Sequence, residues 1–119
     1  MSQKQLVMYS RSYPCPYVHI ATALLNEYDI EVEEILIDRD QEAMERVLDW
    51  TGFLSVPTLV VAEEGSAMPI EPPEFLERGS SPRGINRGSM ITEPNRQQLK
   101  MWLQQHGFIN EQQIGIEGK

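Results

Sequence analysis

The stretch Tyr13-Pro14-Cys15-Pro16-Tyr17-Val18 holds the only cysteine of the chain. Most lone cysteines are small buried hydrophobes. The surroundings of Cys15 point elsewhere. A short apolar run, Leu6-Val7-Met8-Tyr9, precedes it and reads as a strand. Val18, Ala21, Leu24, Leu25 and Tyr28 follow at three- and four-residue spacing and read as an amphipathic helix. Cys15 thus falls where a strand hands over to a helix N-terminus. Free backbone N–H groups and the positive end of the helix dipole collect there, and both favour a thiolate over a thiol. The chemistry this suggests is nucleophilic attack by sulfur. His19, four residues on, could share the helix face. A solvated histidine is the simpler account, because the helix terminus already favours the thiolate.

The elements that must hold Cys15 can be read outward from it. Gln5 to Ser10 form a first strand. Pro14 pushes Tyr13 towards extended backbone, and Pro16 fits the first turn of a helix that runs to about Tyr28. Glu31 to Asp38, with Val32, Ile35, Leu36 and Ile37, reads as a second strand, and the helix between is long enough for a parallel crossover. Asp40 caps a second helix, striped by Met44, Val47 and Leu48 and ended by Gly52. Val56 to Ala62 is the most strand-like run. Its Pro57 marks a strand start or a special turn. From Glu63 to Ile91, prolines and glycines break any periodicity. Met68-Pro69-Ile70 offers a short edge strand and the remainder reads as a long loop. Arg78, Arg83 and Arg87 form a local basic patch there, read as a solvated loop, with an anion- or partner-binding flap as the alternative. Thr92-Glu93-Pro94 reads as the start of a last helix, striped by Leu99, Trp102, Leu103 and His106 and ended by Gly107. Trp50 and Trp102 read as packing aromatics, and His106 as a partner of the helix dipole.

The 119 residues fit one domain, 1–109, with a polar, mobile tail at 110–119. A formal net charge of -8 argues against non-specific nucleic-acid binding and against adhesion to anionic membranes. One cysteine excludes an intramolecular disulfide, and one cysteine with two separated histidines shows no zinc site. The N-terminal residues lack the apolar core of a signal peptide, and no stretch approaches a transmembrane span. The expected setting is the cytoplasm.

The order of strand, cysteine helix, strand, helix, Val-Pro strand, long loop and helix resembles the thioredoxin fold, and the particular residues resemble the glutaredoxin family. Cys15-Pro16-Tyr17-Val18 is similar to the family's Cys-Pro-Tyr-Cys with its second cysteine replaced. Thr51-Gly52-Phe53-Leu54-Ser55-Val56-Pro57-Thr58 is similar to Thr-Gly-x-x-Thr-Val-Pro-x, whose proline is cis. Gly88-Ser89-Met90-Ile91-Thr92-Glu93 resembles a drifted Gly-Gly-x-Ser-Asp. The resemblance is close over residues 4 to 63 and loose over 88 to 109. It implies an α/β, thioredoxin-like three-layer fold, with a mixed sheet of three or four strands flanked by helices. The segment 63–91 would be a long insertion where the family has a tight hairpin.

The resemblance also implies roles. Cys15 would be the nucleophile that attacks a disulfide or takes up glutathione. Val56 would pair its backbone with glutathione beside a cis Pro57. Thr92 and Glu93 would receive the γ-glutamyl end, Tyr17 would wall the groove, and Arg11 would supply positive charge. Val18 removes the resolving thiol, so turnover must pass through a mixed disulfide resolved by a second thiol molecule. The expected protein is a monomeric thiol–disulfide oxidoreductase of cell redox homeostasis. It would hold no permanent cofactor and use glutathione or another small thiol as co-substrate. Two rivals are an iron–sulfur cluster carrier, which Pro16 and Tyr17 disfavour, and a non-catalytic binding module built on the 63–91 loop.

Overall fold

In the computed structural model of the protein, residues 3–109 are described, so the expected tail at 110–119 lies outside them. Strand β1 (Lys4–Ser10) is the axis of the molecule. It alternates strictly. Leu6 and Met8 face one side of the sheet and Val7 and Tyr9 the other, and all four are buried. A strand apolar on both faces must lie in the middle of the sheet. The sheet order is β2-β1-β3-β4. Strand β2 (Glu33–Leu36) runs parallel to β1 after the crossover through helix α1 (Pro16–Glu27). Strands β3 (Thr58–Glu63) and β4 (Met90–Thr92) complete the sheet by antiparallel pairing.

The expected three layers are present. Helices α1 and α3 (Arg96–Gln105) cover the face of Leu6, Met8, Leu59, Val61 and Ile91. Helix α2 (Gln41–Thr51) covers the opposite face through Ala43 and Val47 against Val7, Tyr9 and Val60. Local signals set the helix ends. The Asp40 carboxylate accepts from the Ala43 N–H at 3.1 Å, and Gly52 at φ 80° closes α2.

Several sequence boundaries shift. The second strand keeps only four residues, because the acids around it favour solvent. The third starts at Thr58, after Pro57, rather than at Val56. Met68–Ile70 forms no strand; a single bond from the Ile70 N–H to the Val61 carbonyl, 2.8 Å, ties it to β3. Met90–Thr92, read as loop and helix start, is instead β4. The last helix begins four residues after Thr92. Asn95 caps it with a reciprocal capping box to Gln98, which outcompetes Thr92-Glu93-Pro94 as a start signal.

The largest correction concerns the connection from 64 to 89. It is folded back on the sheet. Arg83 and Asn86 form bridges to Thr92 and Ile91, and the Gly84 N–H bonds the Thr92 carbonyl at 2.7 Å. Arg87, expected in a solvated patch, is 6% exposed. Its Nε donates to the Glu74 carbonyl and its Nη1 to the Trp50 carbonyl, clamping the connection to the end of α2. Among the described residues no carboxylate joins it there, and burial lowers its pKa. The far end is held by the Gly88 carbonyl, which accepts from Trp102 Nε1 at 2.9 Å and from the His106 ring at 2.7 Å. A carbonyl can only accept, so His106 Nε2 carries a proton. His106 is therefore a partner of this turn rather than of the helix dipole.

Candidate active site

Cys15 is the N-cap of α1, with extended backbone at φ −149°, and Pro16 opens the first turn. It is half-buried and packs against the core on the α2 side. The turn before it is fixed from two directions. The Ser12 N–H and hydroxyl both donate to Asp38, which holds the turn to the end of β2 and lowers the Asp38 pKa. The Arg11 guanidinium bonds the Pro14 carbonyl at 2.7 Å and the Tyr13 carbonyl at 3.3 Å, and lies over the Tyr13 ring. Arg11 thus spends donors on its own turn.

The second wall is the segment Thr51–Thr58. The Thr51 hydroxyl bonds the Val47 carbonyl and accepts from the Phe53 N–H, which turns the chain out of α2. The Val56–Pro57 peptide is cis. Thr58 Oγ1 bonds the Ser55 carbonyl at 2.9 Å, and the Glu93 N–H bonds the Pro57 carbonyl at 2.8 Å. The Val56 carbonyl between them faces the thiol, with Cys15 Sγ at 3.7 Å. The Val56 N–H has no hydrogen-bond partner among the described residues.

The third wall differs from the sequence reading. Thr92 is fully buried at the end of β4, and its hydroxyl shares a 3.1 Å hydrogen bond with Thr58. Its side chain braces the Pro57 segment. Glu93 adopts φ 45° and stands half-buried beside that segment. Its carboxylate pairs with Arg83 at 3.2 Å, and the same guanidinium lies 5.1 Å from the Tyr17 ring centre. So Cys15, Tyr17, Val56, Pro57 and Glu93 come together, Thr92 supports them from inside, and Arg11, bonded to its own turn, lies beside the thiol. On the outer side of the thiol, a groove of about 800 Å³ runs along Arg11, Tyr13, Cys15, Val18 and His19.

This arrangement of cysteine cap, cis-proline segment and sheet order can be set beside known families. The glutaredoxin family model matches residues 6–65, which is half of the chain. The chain belongs to the glutaredoxin family. No curated protein matches it. Family membership supports thiol–disulfide oxidoreductase chemistry in general, and the thioredoxin-like fold accords with it. The glutaredoxin match covers Cys15, Tyr17, Val56 and Pro57 and ends before Thr92, Glu93 and most of the connection. Among the described residues no helix is long and apolar enough to cross a membrane. No group of three or more His, Cys, Asp and Glu there is arranged to hold a metal ion.

Sequence reasoning missed Arg83 and Arg87 as separate actors. Both sat in one basic patch, and only their different contacts distinguish them. A signal lay beside Arg83 in Gly84. It adopts φ 73°, and a Cβ there would come within 2.6 Å of the Gln98 side chain. Glycine lets the connection press against α3 and turn Arg83 back towards Tyr17 and Glu93.

Proposed function

We propose that the protein is a thiol–disulfide oxidoreductase working through Cys15 alone on mixed disulfides of glutathione or another small thiol. What carries this reading is Cys15 at a helix cap, 3.7 Å from the Val56 carbonyl in the cis-proline segment. In the first step Cys15 sulfur attacks one sulfur of the disulfide. A Cys15–sulfur bond forms, the old disulfide bond breaks, and the leaving thiolate takes the electron pair. Negative charge near the Cys15 sulfur meets the first-turn N–H groups of α1, and no acidic residue stands in that turn. An extended thiol tripeptide can pair its backbone with Val56 as an added strand would.

The second step needs an outside thiol. Val18, where a resolving cysteine would stand, is half-buried and packed against both cores. A second small thiolate attacks the bound thiol's sulfur, releases a small-molecule disulfide and returns Cys15 as thiolate. The co-substrate is thus glutathione or a like thiol, and the protein suits a reducing compartment such as the cytoplasm. No resident cofactor is required.

Intact mass after incubation with oxidised glutathione tests this. The expected result is one glutathione per chain, none on the Cys15→Ser variant, and removal of the adduct by free glutathione. An unmodified wild-type protein would overturn the reading. So would a biological role that survives Cys15→Ser, which belongs to a binding module.

A further inference from the structure

We infer that Arg83, brought in by the connection between β3 and β4, is a specificity-determining residue that selects disulfides carrying a carboxylate. The inference rests on Cys15 being the reactive thiol. Arg83 is placed beside Tyr17 and Glu93 by construction. Its main chain bridges Thr92, its neighbour Gly84 donates to the same carbonyl, and Glu74 and Trp50 hold Arg87 four residues on. The side chain then spans two walls, from Tyr17, two residues beyond the thiol, to Glu93, whose N–H bonds the Pro57 carbonyl.

The guanidinium is held but not used up. Of its five donors, only one, on Nη2, has a side-chain or main-chain acceptor among the described residues. Its side chain is 58% exposed, whereas that of Glu93 is 15% exposed. Glu93 and the Tyr17 ring therefore hold the guanidinium in place, and its remaining N–H groups leave a planar fork available to a ligand. That fork fits a carboxylate through two charge-assisted hydrogen bonds. Arg11 lines the groove at Cys15 but commits two of its donors to the Tyr13 and Pro14 carbonyls, against one committed on Arg83.

The test compares two disulfides on the same protein by the rate of the Cys15 adduct in intact mass. Oxidised glutathione carries carboxylates, and bis(2-hydroxyethyl) disulfide carries none. The ratio of the two rates should fall by about tenfold in Arg83→Gln, as expected for loss of a charge-assisted contact. Arg83→Lys should keep part of the ratio, because it retains the charge but not the fork. Raising the salt should shrink the wild-type ratio and leave that of Arg83→Gln nearly flat. The ratio is internal to each variant, so a general loosening of the fold slows both reactions and leaves it unchanged. An unaltered ratio in Arg83→Gln, with both adducts forming, overturns the assignment of Arg83 alone. If the wild-type protein takes up neither disulfide, the thiol chemistry fails and this assignment fails with it.

Discussion

The two halves of the chain hold the site in different ways. From β1 to β3 the work is done by periodic apolar side chains. Leu6, Met8, Leu59 and Val61 seal one face and Val7, Tyr9 and Val60 the other, and the family match ends just beyond β3. From 64 to 92 the chain is held mainly by polar staples. Arg87 binds two carbonyls, Gly88 receives two ring donors, and Arg83 and Asn86 bridge β4. The first half carries Cys15, and the second adds Thr92 and Glu93 against the Pro57 segment. A core-built scaffold can thus accept a long connection, because closing a longer loop costs only logarithmically more entropy and a few satisfied polar contacts fix where it goes.

The largest effect separates the halves by chemistry. Cys15→Ser should abolish adduct formation entirely while leaving the circular dichroism spectrum and melting curve close to wild type, since Cys15 is only half-buried. Arg87→Met should separate them by stability. It leaves the Glu74 and Trp50 carbonyls without their donor, at a cost of about 2 kcal/mol in urea unfolding. Hydrogen exchange should rise across 70–90 well before it rises in β1 and β3. Uniform exchange throughout the domain would mean that the connection is not a separate unit.

Thr58→Val tests the seam between the halves. It removes a hydroxyl shared by Ser55 and Thr92 and should cost about 1.5 kcal/mol, with slower adduct formation as the cis-proline segment loses its brace. Helix caps give a matched pair. Asp40→Ala in the first half and Asn95→Ala in the second should each cost about 1 kcal/mol by denaturant midpoint, but only the second should raise exchange in α3.

The smallest effect is on pH dependence. Burial lowers the His106 pKa from the ordinary 6.5, despite an opposing hydrogen bond to the Gly88 carbonyl. The fold therefore prefers the neutral ring. Its contribution to stability is present above the unfolded value of 6.5 and is lost as pH falls through that value towards the lower folded one. His106→Gln, which can still donate to Gly88, should flatten this rise in the urea midpoint. The change should be well under about 1 kcal/mol, because the ring is only partly buried.

What was legible in the sequence follows the same division. Period-two and helical spacing placed β1, α1, α2 and β3 within a few residues, and the Cys15 and Val56-Pro57 motifs came with them, because local pattern and burial agree there. β4 was missed because Met90-Ile91-Thr92 is three residues long, too short to show alternation. Thr92 was read as a helix cap because its type and its proline neighbour fit one. The structure gives that task to Asn95, whose Gln98 partner sits at the right spacing. Arg83 and Arg87 look alike in sequence, and their separate fates are set by partners between ten and nearly seventy residues away. Such long-range polar contacts leave no periodic trace.

The bridges that seat Arg83 and Asn86 have a consequence for association. They lie along the outer side of β4, where an uncovered strand would offer its backbone to another chain. Among the described residues only β2 is left as an open margin. It is four residues long and begins with two adjacent glutamates, Glu33 and Glu34. A second copy approaching in register would set like charges together and gain few backbone bonds in return. The connection that carries Arg83 therefore also discourages strand-by-strand aggregation.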